Sequence, residues 1–158
     1  VQVVEPDLFL RRINPMPRKE TSYIVVHCAA TKPDQDIGAR EIDAWHRKNG
    51  WIGCGYHYVI RRDGTIERGR AEHAVGAHAE QVNQISVGVC LVGGLDASGK
   101  PAPDFAQPQW SSLRRLLADL CTRYPKASVV GHRDIPGVAK ACPSFDVKAW
   151  CSDGLILP

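Results

Sequence analysis

The sequence predicts a single α/β domain, a central mixed β-sheet flanked by helices. Three observations carry this. Short runs rich in β-branched residues lie at 23–27, 85–92 and 128–131. Between them stand two stretches with helical spacing, about 38–49 and 110–124. Asp63-Gly64, set between 55–62 and 65–70, is the strongest short hairpin signal in the chain. Strands interleaved with helices give a layered sheet-and-helix domain. At 158 residues the chain is one domain by size and long enough to bury a core.

Taken in order, residues 1–22 carry Pro6, Pro15 and Pro17 and read as an extension that wraps the domain or frays. Residues 23–158 form the domain proper. The run 23–27 is a buried strand ending at His27. A polar loop follows, with Asp36 as a candidate cap for a helix over 38–49. That helix puts Ile42 and Trp45 on one side and stops at Gly50, a residue suited to a left-handed turn. The hairpin comes next, then a strand at 85–92 apolar enough to lie centrally. Residues 93–108 are rich in Gly, Pro, Asp and Ser and form a surface loop. Trp110, Leu113, Leu116, Leu117, Leu120, Cys121 and Tyr124 mark the second helix, which Pro125 ends. A strand at 128–131 leads into His132, and a short helix at 146–150 closes the core.

Composition is that of a globular chain, 44% hydrophobic and 23% charged, without low-complexity tracts or internal repeats. No apolar run is long enough to cross a bilayer. A net charge of +3 does not argue for nucleic acid, although it favours loose association with an anionic cell wall. The visible first residues lack a basic region followed by an apolar core, so no signal peptide is seen there. The six cysteines have no framework spacing and are expected to be mostly reduced, in keeping with synthesis in a cytoplasm.

The chemistry gathers on two histidines and one cysteine. His27 closes an apolar run, His132 follows another, and Cys142 stands in a Pro/Gly loop ten residues beyond His132. Singly, each has an ordinary structural explanation. Together they are candidates for a three-ligand zinc site, the number that leaves a fourth position for water, whereas structural zinc takes four ligands.

These residues sit within a longer series of motifs: VHCAATKP (26–33), GW (50–51), GYHY (55–58), RDGTIE (62–67), VGAHA (75–79), SVGVCLVGG (86–94), GH (131–132) and KACPSFD (140–146). The series resembles the zinc-dependent N-acetylmuramoyl-L-alanine amidases of type 2, whose fold is shared with peptidoglycan recognition proteins. Within that family it is most similar to the bacteriophage lysozymes of amidase type. The resemblance runs from about Tyr23 to Trp150. The His132–Cys142 loop is slightly longer than in those phage lysozymes, with the extra residues around Ile135-Pro136-Gly137.

The resemblance implies a Zn2+ cofactor held by His27, His132 and Cys142. It assigns Tyr56 and Lys140 as catalytic, the hydroxyl and the ammonium helping to hold the oxyanion. Tyr56 and His57 are neighbours on a strand and face opposite sides, and the family match selects Tyr56. His78 and Asn83 are implied in substrate binding. His46 and His73 are expected to have no catalytic part, and Glu67 and Glu72 are unsupported as a catalytic base. The implied activity is hydrolysis of the amide between the muramic acid lactyl group and L-alanine of peptidoglycan, as in a phage or prophage endolysin. Such a protein is made in the host cytoplasm and acts on the wall in the periplasm after release. A secreted enzyme with its leader removed is the alternative. The expected partner is a muropeptide, with no nucleic acid and no membrane span, and the chain is expected to be a monomer. Two other classes stay open: a peptidoglycan-recognition module that binds without cutting, and a phage-type regulator that contacts RNA polymerase. A muramidase would need paired carboxylates about a glycosidic bond, which none of these motifs supplies.

Overall fold

The computed structural model describes residues 1–152. Five strands form one sheet: β1 (Tyr23–Cys28), β2 (Tyr58–Ile60), β3 (Ile66–Arg68), β4 (Ser86–Leu91) and β5 (Ser128–Gly131). Their spatial order is β3-β2-β4-β1-β5. Only the β2–β3 hairpin is antiparallel; the other pairings are parallel. The sheet is therefore mixed, with its hairpin at one edge. Gly64 takes φ +89° in the connecting turn, where Asp63 Oδ1 accepts from the Thr65 amide at 2.9 Å.

Strand alternation sorts the core into two faces. Ile24 and Val26 of β1, with Val87, Val89 and Leu91 of β4, pack against Leu113, Leu116, Leu117 and Leu120. Those leucines follow helical spacing along α2 (Gln107–Arg123). The short α3 (Val147–Trp150) adds Val147 to the same cluster. On the opposite face Val59 and Cys90 pack with Ala39 and Ile42 of α1 (Ala39–Lys48) and with Leu8. Val25 and Val130 form a third cluster with Ile135. His27 follows Val25 in the alternation, so it belongs to this second face rather than to the leucine layer. Among the described residues no helix is long and apolar enough to cross a membrane.

Three details differ from expectation. Asp36 does not cap α1. The Gly38 amide donates to Glu41 Oε1 at 2.6 Å, and the Ala39 amide to Glu67 Oε1 at 2.8 Å. A carboxylate from β3 thus serves one orphan amide at the start of a helix, from a residue 28 positions away in sequence. Trp45 also does not share the buried face with Ile42, being 38% exposed. The second helix begins earlier than its apolar pattern suggests. Gln109 Oε1 accepts from the Ala106 amide, and its buried Nε2 donates to the Ile60 and Val92 carbonyls. One side chain therefore starts α2 and fastens it to β2 and β4.

Residues 1–22 lie along the domain. Val4 hydrogen-bonds with Ile66 and Arg68, covering the outer edge of β3. Arg18 donates to the Glu72 and Ala74 carbonyls. Glu72 is held by Arg123 Nη2 at 2.7 Å, by the Tyr124 hydroxyl at 2.7 Å and by the Tyr58 hydroxyl. Burial alone would raise its carboxyl, but those donors bring it down to about 2. Glu67 and Glu72 are thus both engaged as structural carboxylates.

Candidate active site

The register of the sheet builds the site. Val26 pairs with Gly131 across the parallel β1–β5 ladder, so one step further His27 and His132 lie side by side. Their ring centroids are 4.5 Å apart. This is the carboxyl end of adjacent parallel strands, where α/β sheets commonly place ligands. His132 opens a short 3-10 turn over His132–Asp134, which Asp134 closes by accepting from the Gly131 amide at 2.8 Å. The Arg133 amide donates to the Cys142 carbonyl at 2.9 Å and brings the Pro/Gly loop back onto that turn.

Cys142 thereby reaches both imidazoles. One ligand atom from each of His27, His132 and Cys142 lies within 4.8 Å of the other two. The His27 Nδ1 to Cys142 Sγ distance is 3.8 Å. Ligands of a tetrahedral zinc with bonds of 2.0–2.3 Å stand roughly 3.3–3.8 Å from one another, so the constellation fits that ion after slight closure. The electrostatics fit as well. Burial holds His27 well below the usual imidazole range, and His132 and Lys140 add to the effect. Burial and then Lys140 lower His132 too. Both rings are neutral at pH 7, the form that binds metal. The Cys28 amide donates to Cys142 Sγ at 3.2 Å, a contact that favours sulfur as thiolate. The neighbouring Cys142 draws the Cys28 thiol down, while Cys28 and then burial push the Cys142 thiol up. A metal ion would reverse that preference, because the ligating sulfur must be deprotonated. All six cysteines are free.

The remaining candidates fall around this centre. Tyr56 lies just before β2, its ring 5.0 Å from that of His27. Burial pushes its hydroxyl well above the usual phenol range, so it remains a donor. His57 turns away. It is fully buried, its Nε2 paired with the Ala74 carbonyl and its Nδ1 accepting from the Gly88 amide. A cleft of about 560 Å³ opens beside the centre, lined by Trp51, His78, Asn83, His132 and Lys140 among others. Lys140 is exposed on its rim, close enough for its charge to be felt by both imidazoles. Asn83 also faces the cleft, but its Oδ1 accepts from the His78 and Ala79 amides, both at 2.8 Å. His78 presents its ring to the cleft while both nitrogens are engaged within the protein, one at 2.8 Å from His27 Nε2. A second cavity of about 480 Å³, lined by Met16, Ile52 and His73 among others, lies elsewhere and contains none of the ligands.

Sequence reasoning missed two residues. His46 accepts from the Gly55 amide at 2.8 Å and packs 5.5 Å from the Tyr56 ring, so it fixes the segment carrying that tyrosine. Cys28 was legible only as a cysteine; its amide is what addresses the Cys142 sulfur. Neither contact has a signal in local spacing.

Comparison with known proteins agrees with this geometry. Residues 17–145 match the family of N-acetylmuramoyl-L-alanine amidases. The chain is 53% identical over 133 residues to an endolysin of Klebsiella phage KP32, covering 84% of this chain and 87% of that one. It is 49% identical over 141 residues to an endolysin of Escherichia phage T7, covering 89% and 92%. Among solved structures, the endolysin of Thermus scotoductus bacteriophage Ph2119 aligns with a TM-score of 0.80 at 28% identity, covering 98% of this chain and 99% of that one. Drosophila peptidoglycan recognition protein LB, at 22% identity and a TM-score of 0.70, covers 96% and 92% and shares the fold.

Proposed function

The chain belongs to the N-acetylmuramoyl-L-alanine amidase family, and from that premise we propose that His27, His132 and Cys142 hold a zinc ion at its catalytic centre. It is an amidase of the phage endolysin kind, acting on peptidoglycan. The observation that carries the zinc reading is the convergence of two neutral imidazoles and one thiol, from β1, the turn after β5 and the 142 loop.

Bound there, zinc supplies a Lewis acid and a water of lowered pKa, the two requirements of amide hydrolysis. The chain's own groups do the rest. The cleft receives the muropeptide, with the Trp51 ring, the His78 ring edge and the Asn83 amide lining its path. The scissile bond is the one between the lactyl carbonyl of muramic acid and the nitrogen of L-alanine. The Tyr56 hydroxyl, kept protonated, donates a hydrogen bond to the carbonyl oxygen as charge gathers on it. The Lys140 ammonium approaches from the rim and stabilises the same charge. The Tyr56 segment is fixed by His46, and the backbone bond from Arg133 to the Cys142 carbonyl holds the loop from which the Lys140 side chain reaches in. A binding-only role would be favoured by loss of a ligand, and all three positions are filled.

Product identity tests this reading. Digestion of purified peptidoglycan should release stem peptides with a free L-alanine amine and leave intact glycan chains, as identified by mass. New reducing sugar ends in place of free amines would overturn it.

A further inference from the structure

We propose that His78 is a positioning residue for the metal centre: it accepts the Nε2 proton of His27 and so leaves His27 Nδ1 as the nitrogen that ligates. The inference rests on the zinc reading above, but the proton order itself is read from four residues in series. It begins at a group that can only accept. The Val82 carbonyl oxygen lies 2.7 Å from Ser86 Oγ, so the hydroxyl proton points there. Ser86 Oγ then has only lone pairs to offer His78 Nε2, 3.2 Å away, and that nitrogen must carry a proton. A neutral His78 protonated on Nε2 has a bare Nδ1. At 2.8 Å from it stands His27 Nε2, which must be the donor. The remaining nitrogen of His27, Nδ1, is bare and faces Cys142 Sγ at 3.8 Å. One carbonyl, through a serine and a histidine, thus decides which tautomer of the buried ligand is present.

The surroundings make room for this arrangement and for little else. A Cβ on Gly88 would lie 2.5 Å from His78 Cγ, and one on Gly76 would lie 2.6 Å from its Cδ2. Two glycines therefore form the slot that admits the imidazole. The main chain of His78 is fixed separately by Asn83 Oδ1. Metal-bound histidines generally donate their other N–H to an oriented acceptor, and losing that acceptor typically costs about 10–100-fold in metal affinity. Here the acceptor is a second imidazole in place of the more usual carboxylate or carbonyl.

The test combines zinc competition against a chromophoric chelator with long-range proton–nitrogen NMR of the histidines in metal-free protein. Wild type should show His27 protonated on Nε2 and bare on Nδ1. His78→Leu, which fills the slot without an acceptor, should bind zinc about 10–100-fold more weakly. His78→Asn, whose Oδ1 can occupy the place of Nδ1, should stay near wild type. Ser86→Ala leaves the slot filled but releases the tautomer, so metal-free protein should then show His27 in both forms. That arm holds even if the leucine variant does not fold. Equal zinc affinity in His78→Leu, or an asparagine variant as weak as the leucine one, would overturn the proposal. So would wild-type His27 protonated on Nδ1. A wild type that binds no zinc but shows the Nε2–H tautomer would instead overturn the metal reading and leave the proton order standing.

Discussion

Replacing any one of His27, His132 or Cys142 by alanine should remove the zinc and, with it, at least roughly a thousandfold of the turnover. The size follows from what the ion does: as a Lewis acid and a source of acidic water it is worth several kcal/mol in the transition state, and each 1.36 kcal/mol is about tenfold in rate. His27 should be the most damaging of the three positions for folding. It is 2% exposed and sits among the rings of Tyr56, His78 and His132, whereas His132 and Cys142 are only half-buried. Cys142→Ser is the sharper variant, because it keeps the shape while a serine hydroxyl is not deprotonated near neutral pH as a thiol can be. Zinc content by atomic emission, read beside the rate of amine release, checks the expectation. A Cys142→Ser protein with full zinc and full turnover would remove the sulfur from the site.

Tyr56→Phe and Lys140→Ala should behave differently, keeping the zinc and the fold while each loses roughly a hundredfold or more in turnover. Both groups are assigned to charge that appears only as the carbonyl becomes tetrahedral, and one preorganised donor of that kind is worth about that factor. Substrate binding should change far less, since Trp51 and the 78–83 segment form much of the cleft wall. The measurement is kcat and KM on soluble muropeptides together with zinc content. Loss of zinc in the Tyr56→Phe protein, which keeps the ring and its 5.0 Å contact with His27, would mean that the hydroxyl holds the metal site together and would contradict its assignment to the oxyanion.

Much of the fold was legible because it is written in local pattern. The β-branched runs gave β1, β4 and β5, the leucine spacing gave α2, and Asp63-Gly64 gave the hairpin. His27, His132 and Cys142 could be singled out because each falls in a motif of the series that resembles the amidase family; position at a strand end or in a loop would not have sufficed. What was not legible depends on register between distant strands. That Val26 stands opposite Gly131, and so His27 beside His132, is a property of parallel pairing between segments about a hundred residues apart, which no local spacing encodes. The cap of α1 illustrates the same limit. Asp36 is the nearer carboxylate in sequence, but the hairpin carries Glu67 to the helix start in space. His78 is the strongest case. Its part depends on Gly88 from β4, Gly76 from its own loop and a serine hydroxyl aimed at a carbonyl. The family resemblance could mark it as a substrate-binding residue along a groove, and spacing alone gave nothing more.

The most direct test of the central claim is the metal dependence of the wild-type protein. Protein purified without chelator should hold about one zinc per chain, as a single three-ligand site requires. Dialysis against a strong chelator should abolish amine release from peptidoglycan, and one equivalent of zinc should restore it. Full turnover in protein shown to contain less than about a tenth of an equivalent of any divalent metal would contradict the account, since the mechanism leaves no route without the ion.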